Sequence, residues 1–162
     1  AAVSLVLWDT AGQERFAPLS SPFYRKADGV LVAFDVGCRE SFERATTHWL
    51  DQIDSKAAPN VARLLIGLKS DIAAHLRHVS ESEAEKLARS RGLLYCEASS
   101  LSGDGVDDAF FIISCAIMNA KLESDPTNPE YVTGSDSMGV TSPAPATGGL
   151  SRRQKPAAGS CC

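Results

Sequence analysis

A chain of 162 residues is long enough for one domain with a sizeable core and too short for two full ones. It is 44% hydrophobic and 22% charged with a formal net charge of −4, so no concentrated basic face marks it as a binder of nucleic acid. No run of ~18 apolar residues spans a bilayer and no charged-then-apolar leader precedes a cleavage site, so the cytosol is the expected compartment.

In chain order, V-S-L-V-L-W (Val3 to Trp8) is predicted as a first strand and G-V-L-V-A-F-D-V (Gly29 to Val36) as a second. Nearly unbroken apolar runs of this length suit strands buried on both faces of a parallel sheet. From about Arg39 to Ser55, Phe42, Ala45, Trp49, Leu50 and Ile53 recur at helical spacing, which predicts an amphipathic helix with Trp49 in the core. Ala62 to Gly67 is predicted as the third strand. Ser80 and Glu83 form a capping box for a helix whose stripe is Ala84, Leu87 and Ala88, with Gly92 as its stop. Leu93 to Glu97 is the fourth strand. Val106, Ala109, Phe110, Ile113, Ala116 and Ile117 mark a last helix, with Asp107 and Asp108 at its positive end.

Beyond residue 122 the composition shifts. Glu123 to Cys162 holds five of the eight prolines, five of the twelve glycines and one aromatic, Tyr131. Such a segment buries too little apolar surface to offset its ordering entropy, so residues 1–122 are expected to form the domain and 123–162 a disordered tail. The five cysteines show neither zinc-type pairing nor a disulfide framework. Cys38, Cys96 and Cys115 are read as buried reduced thiols. His48, His75 and His78 lack ligand spacing and are read as surface or loop residues.

Alternating strands and helices predict a doubly wound α/β sheet, in which ligands sit beyond the carboxyl ends of the strands. D-T-A-G-Q after the first strand, G-L-K-S-D (Gly67 to Asp71) after the third and E-A-S-S (Glu97 to Ser100) after the fourth share that edge. Asp9 is suited to hold a hydrated magnesium ion, which keeps waters and takes few carboxylates directly. Gly12 lets a backbone N–H reach a phosphate oxygen, and Gln13 both donates and accepts, as orienting an attacking water requires. Lys69 has an aliphatic stem to cover a ring. Asp71 offers two acceptors to the adjacent N–H groups of guanine, a donor pair that adenine lacks.

W-D-T-A-G-Q-E-R-F (Trp8 to Phe16), followed by F-Y-R-K-A-D-G-V-L-V-A-F-D-V and R-E-S-F, resembles the Ras superfamily of small GTPases, specifically its Rab branch. The resemblance runs from Ala1 to about Lys121. It implies a P-loop NTPase-like, mostly parallel sheet, GTP or GDP with Mg²⁺ as cofactors, hydrolysis of GTP, and a switch in vesicle-mediated intracellular transport. By position it implies Asp9 as the magnesium carboxylate acting through water, Gly12 as the γ-phosphate donor and Gln13 as the catalytic water-positioning residue. Lys69 and Asp71 would contact guanine, and Ser99 and Ser100 would support that contact. Trp8 and Phe23 match an aromatic surface read by effectors; core packing is the alternative for Trp8. The implied partners are effectors, an exchange factor, a GTPase-activating protein, the prenylation machinery and a GDP-dissociation inhibitor.

Two departures stand against this. No G-x-x-x-x-G-K-[ST] loop occurs in the 162 residues, so the sequence reads as an incomplete copy lacking two strands and the first helix. Val3 to Trp8 would then have no neighbouring strand, leaving it uncovered or weakly docked elsewhere. Leu68 stands where the resemblance calls for asparagine, and without a donor or acceptor it should weaken base recognition by about 1 to 3 kcal/mol. These departures leave open a non-catalytic, membrane-tethered interaction protein with little nucleotide binding. The terminal Cys161 and Cys162 resemble a signal for two geranylgeranyl chains, which together anchor stably, with Arg152, Arg153 and Lys155 adding attraction to anionic lipid. The implied location is the cytoplasmic face of endomembranes, cycling with the cytosol.

Overall fold

The computed structural model describes residues 3–10 and 23–124. Gly12, Gln13, Cys161, Cys162 and the expected tail from residue 125 onward lie outside the described residues.

Three parallel strands, β1 (Gly29–Asp35), β2 (Ala62–Leu68) and β3 (Leu94–Ala98), form a sheet in that order. Gly29 pairs with Ala62 and Asp35 with Leu68, while Leu64 pairs with Leu94 and Leu68 with Ala98. The registers bring all three carboxyl ends to one edge. Parallel neighbours need long crossovers, and helices supply them. After β1 come α1 (Arg39–Arg44), a π-helical turn (Ala45–Trp49) and α2 (Leu50–Lys56); after β2 comes α3 (Glu81–Ser90); after β3 comes α4 (Val106–Glu123).

Alternation along each strand divides the core in two. On one face Val32, Phe34, Val36 and Leu65 pack with Phe42, Ala45, Leu50 and Ile53 and with Ala84 and Ala88 of α3. Phe34 meets Phe42 edge to face at 4.8 Å between centroids. On the other face Leu64, Ile66 and Ala98 pack under Ala109 and Ile113 of α4. Arg39 Nη2 joins Glu83 Oε1 at 2.7 Å, linking α1 to α3 across the first layer.

The expected helix from Arg39 to Ser55 is a helical run with a wide turn at its centre. There Thr46 Oγ1 donates to the Phe42 carbonyl at 2.8 Å and Thr47 Oγ1 to that of Glu43 at 2.7 Å. Consecutive hydroxyls that bond back to the preceding turn compete with the regular ladder. Trp49 is half-buried against the core rather than fully inside it. His48 is not a surface residue: it is half-buried with its Nε2 enclosed and unpartnered among the described residues, its ring at 77° to Trp49. The capping box is half formed. Ser80 Oγ accepts from the Glu83 N–H at 3.2 Å, but the Glu83 carboxylate is taken by Arg39. Cys115 is exposed, and Cys38 and Cys96 are half-buried, so the expectation of three buried thiols does not hold. Burial does push the Cys96 thiol up to about 11.

The strand expected from Val3 to Trp8 is not formed. Residues 3–10 carry no secondary structure and are exposed, Val6 by 76% and Trp8 by 68%. A strand needs a ladder for its N–H and C=O groups, and no strand pairs with this segment among the described residues. Trp8 lies against Phe23 instead, ring centroids 5.1 Å apart, and belongs to neither core cluster of the described residues.

Glycine is required where β3 turns into α4. Gly105 precedes the helix with φ of 73°, and a Cβ there would lie 2.0 Å from the Glu97 carbonyl oxygen. Gly92 shares the left-handed conformation, φ 66°, but nothing lies within 4 Å of its Cβ position. Urea unfolding of Gly105→Ala should therefore show a loss of about 3 kcal/mol or more, against about 1 kcal/mol for Gly92→Ala. Equal losses would mean that the close approach to Glu97 does not decide the difference.

Candidate functional site

The carboxyl edge of the sheet assembles three loops: residues 35–38 after β1, 68–72 after β2 and 98–105 after β3. Backbone bonds lock them together. Val36 N donates to the Leu68 carbonyl at 3.0 Å and Ser70 N to the Ala98 carbonyl at 3.2 Å. Lys69 turns the chain out of β2 with φ of 63°, a left-handed conformation uncommon for a residue with a Cβ. Such backbone strain persists only where the surroundings hold it, here through the Ser70 bond and the Ile72 N–H on the Lys69 carbonyl at 3.2 Å.

Ser99 is wholly buried at the centre of the edge. Its Oγ donates to Asp71 Oδ1 and accepts the N–H groups of Leu101 at 3.1 Å and Ser102 at 3.2 Å. Its backbone is held too, since Ser99 N donates to the Asp104 carbonyl and Gly103 N to the Ser99 carbonyl, both at 2.9 Å. Asp71 is thus gripped by one oxygen, and Oδ2 has no protein partner among the described residues. A carboxylate held in this way is suited to accept a second, ligand-borne donor. Ser100, next in the chain, is exposed on the same loop.

Lys69 reaches across the edge to Asp35, Nζ 2.5 Å from Oδ2. Asp35 Oδ1 meanwhile accepts the Gly37 N–H at 2.8 Å, and Ser41 Oγ accepts the Asp35 N–H at 2.9 Å. The Lys69 bond, together with the Gly37 N–H, holds the Asp35 carboxyl below the usual aspartate range despite partial desolvation. The Lys69 ammonium is raised in turn, first by its hydrogen bond to Asp35. Sequence reasoning placed Lys69 and Asp71 on this edge but missed Asp35. The available signal was an acidic residue closing an otherwise apolar strand, at the end where ligands bind.

Behind the loops, Glu97 accepts from both Arg77 and the Tyr95 hydroxyl, and Arg77 Nε donates to the Val79 carbonyl at 2.8 Å. Burial, followed by the bond to Glu97, raises the Tyr95 phenol far above its ordinary range. This network fastens the connection between β2 and α3 to β3. Leu68 ends β2 with its side chain 38% exposed and brings no polar atom beyond its backbone to the edge.

The predicted residues therefore divide. The structure unites Lys69, Asp71, Ser99 and Ser100; Asp9 stands on the exposed 3–10 segment, with no bond to these loops among the described residues. No group of three or more His, Cys, Asp or Glu capable of holding a metal occurs among the described residues. A single exposed carboxylate at Asp9 still fits the outer-shell contact that hydrated magnesium accepts.

Asp35 offers a direct check on the loop geometry. A depressed carboxylate contributes stability that is present above its ordinary pKa and is lost as pH falls through its lower folded-state value. Carboxyl-carbon NMR should show Asp35 titrating below an ordinary aspartate, and Lys69→Met should move its midpoint upward. An unchanged midpoint would remove Lys69 as the principal cause.

A family model described as the Ras family matches residues 1–119. The chain is 40% identical over 142 residues to Ras-related protein Rab-4 of Dictyostelium discoideum, covering 86% of this chain and 68% of that one. It is 39% identical over 148 residues to Ras-related protein Rab-1 of Theileria parva, covering 91% and 66%. With human Ras-related protein Rab-30 the identity is 33% over 146 residues, covering 90% and 66%. The chain thus spans about two thirds of the length of these relatives.

Proposed function

Because the chain belongs to the Ras family, as a Rab-type small GTPase, we propose that its β2 and β3 loops read a guanine base and that it acts as a nucleotide-dependent switch in membrane traffic. The observation that carries this reading is the Asp71 carboxylate, held by buried Ser99 through Oδ1 with Oδ2 left for a ligand. Guanine presents N1–H and an exocyclic amine side by side, which suits a fixed carboxylate. The Lys69 stem lies beside it to cover the ring, and Ser100 is exposed on the loop that supports the base carbonyl.

In this reading Asp9 holds magnesium through water, Gly12 donates to the terminal phosphate and Gln13 orients the water that hydrolyses GTP to GDP and phosphate. Bound magnesium supplies charge neutralisation at the phosphates. Trp8 and Phe23 form the aromatic surface that effectors contact, and their mutual stacking outside the core supports this role. Cys161 and Cys162 carry lipid that anchors the protein to the cytoplasmic face of endomembranes. Exchange factor, GTPase-activating protein, GDP-dissociation inhibitor and prenylation machinery are its partners in that cycle. A second reading, a membrane-tethered interaction protein without catalysis, is favoured by one observation: Leu68 puts an apolar, half-exposed side chain on the base-reading edge.

Titration of the isotope-labelled chain with GDP and ADP separates the two. GDP should shift the amides of Lys69 to Asp71 and Ser99 to Leu101 while ADP leaves them unchanged; equal responses, or none, would favour the second reading. Xanthine replaces the amine donor of guanine with a carbonyl acceptor, matching an amide better than a carboxylate. Asp71→Asn should therefore exchange a preference for GDP for one for xanthosine diphosphate. Leu68→Asn should restore a donor and acceptor at the edge and tighten GDP binding by about tenfold, read from the same titration.

A further inference from the structure

At the carboxyl edge one cation has two carboxylates within reach. Lys69 lies two residues before Asp71, on a turn closed by the Ile72 N–H on the Lys69 carbonyl at 3.2 Å. Its ammonium is raised first by the hydrogen bond to Asp35, and more weakly by Cys38 and Asp71. Asp71 gives one oxygen to Ser99 and leaves the other without a protein partner among the described residues. The flexible stem of a lysine can bring its ammonium to either acid. The structure places it on Asp35, Nζ 2.5 Å from Oδ2.

Several features favour Asp35. The strand register sets it opposite Leu68, immediately before Lys69. The Gly37 N–H donates to Oδ1 at 2.8 Å, leaving Oδ2 for the lysine. One hydroxyl fastens the backbone: Ser41 Oγ accepts the Asp35 N–H at 2.9 Å and donates to the Cys38 carbonyl at 2.7 Å. The Asp35 side chain is 27% exposed, whereas Asp71 is an exposed residue. A partly desolvated carboxylate attracts a cation more strongly than one in water. Glycine at 37 keeps this loop closed on the acid, since a Cβ there would lie 3.3 Å from Asp35 Oδ1 and 3.1 Å from Ile72 Cδ1.

Given that Asp71 reads the base, we propose that Asp35 is a positioning residue for base recognition. By holding the Lys69 ammonium at the end of β1, it keeps Asp71 Oδ2 free and charged for the donors of guanine. An ammonium on Oδ2 would occupy that acceptor and cancel the charge that draws the two N–H groups of the base. With Asp35 in place, the lysine lends its stem to the ring and keeps its charge elsewhere. Asp35 thus acts on the base through Lys69 and touches no part of it.

Asp35→Asn keeps an acceptor for the Gly37 N–H and removes the charge, so the fold is retained and the ammonium passes to Asp71. At neutral pH the Asp71 carboxyl carbon, followed by NMR in the full chain, should shift in Asp35→Asn. It should return when Lys69→Met is added, and keep its parent position in Asp35→Glu, which retains the anion. Titration with GDP should show binding about fivefold weaker in Asp35→Asn. The same substitution made in Lys69→Met, a stem without charge, should cost nothing. An unmoved Asp71 carbon in Asp35→Asn, equal GDP affinity of that variant and the parent, or a loss that persists in the Lys69→Met background would each overturn the proposal. A parent that answers GDP and ADP alike removes the guanine reading instead, and the Asp71 carbon alone then upholds or overturns the placement of the ammonium.

Discussion

The Ser99 hydroxyl is the point where the sheet, the last helix and the ligand edge meet. It is wholly buried, and its three bonds join two loops of the edge: one reaches the Asp71 side chain of the β2 loop and two take N–H groups from the loop that leads into α4. A buried hydroxyl with donor and acceptor capacity both used rigidifies whatever it joins, because breaking any one bond strands a polar group away from water. The orientation of Asp71 therefore depends on the position of β3. That position depends in turn on the parallel pairing with β2 and on the close passage of Gly105 under the Glu97 carbonyl.

From that hub the remaining geometry follows by contact. Asp71 is held through one oxygen by Ser99; Lys69 is turned out by a left-handed backbone and drawn toward Asp35 at the end of β1. Asp35 is itself fixed by the Gly37 N–H and the Ser41 hydroxyl, so the ammonium group has a defined resting place. The pair is exposed on the lysine side, so it orients the side chain more than it stabilises the fold. A ligand that takes the lysine stem onto its ring competes only with a solvent-accessible contact.

What was legible in the sequence is what depends on local pattern. Continuous apolar runs located β1, β2 and β3 to within a residue or two, Ser80 and Gly92 bounded α3, and the two motifs on the edge named Lys69, Asp71 and Ser99. What was not legible depends on partners distant in sequence. Val3 to Trp8 has the composition of a buried strand, yet composition cannot supply the ladder that makes one, and the segment is exposed. Asp35 carries no motif; its role emerges only when β1 and β2 lie in register and bring residue 35 beside residue 69. The Thr46 and Thr47 bonds that widen the helix, and the enclosed His48 nitrogen beside them, arise from packing that periodicity does not encode.

The two apolar departures, Leu68 and the outer face of α4, act on different links of the chain from sequence to function. Leu68 sits at the end of a strand whose backbone is intact: its carbonyl still accepts from Val36, so the fold is preserved and only the ligand edge loses a polar group. Any effect of Leu68 must therefore appear in recognition rather than in stability. The exposed apolar residues on the outer face of α4 leave both fold and edge untouched, since the residues that face the sheet are a different set on the same helix. Phe111, Cys115, Met118 and Leu122 could change what the molecule binds without changing how Ser99 holds Asp71. One domain thus carries two surfaces whose chemistries vary independently, because different residues form them: a polar edge set by the buried hydrogen bonds of Ser99, and an apolar face on the outside of α4.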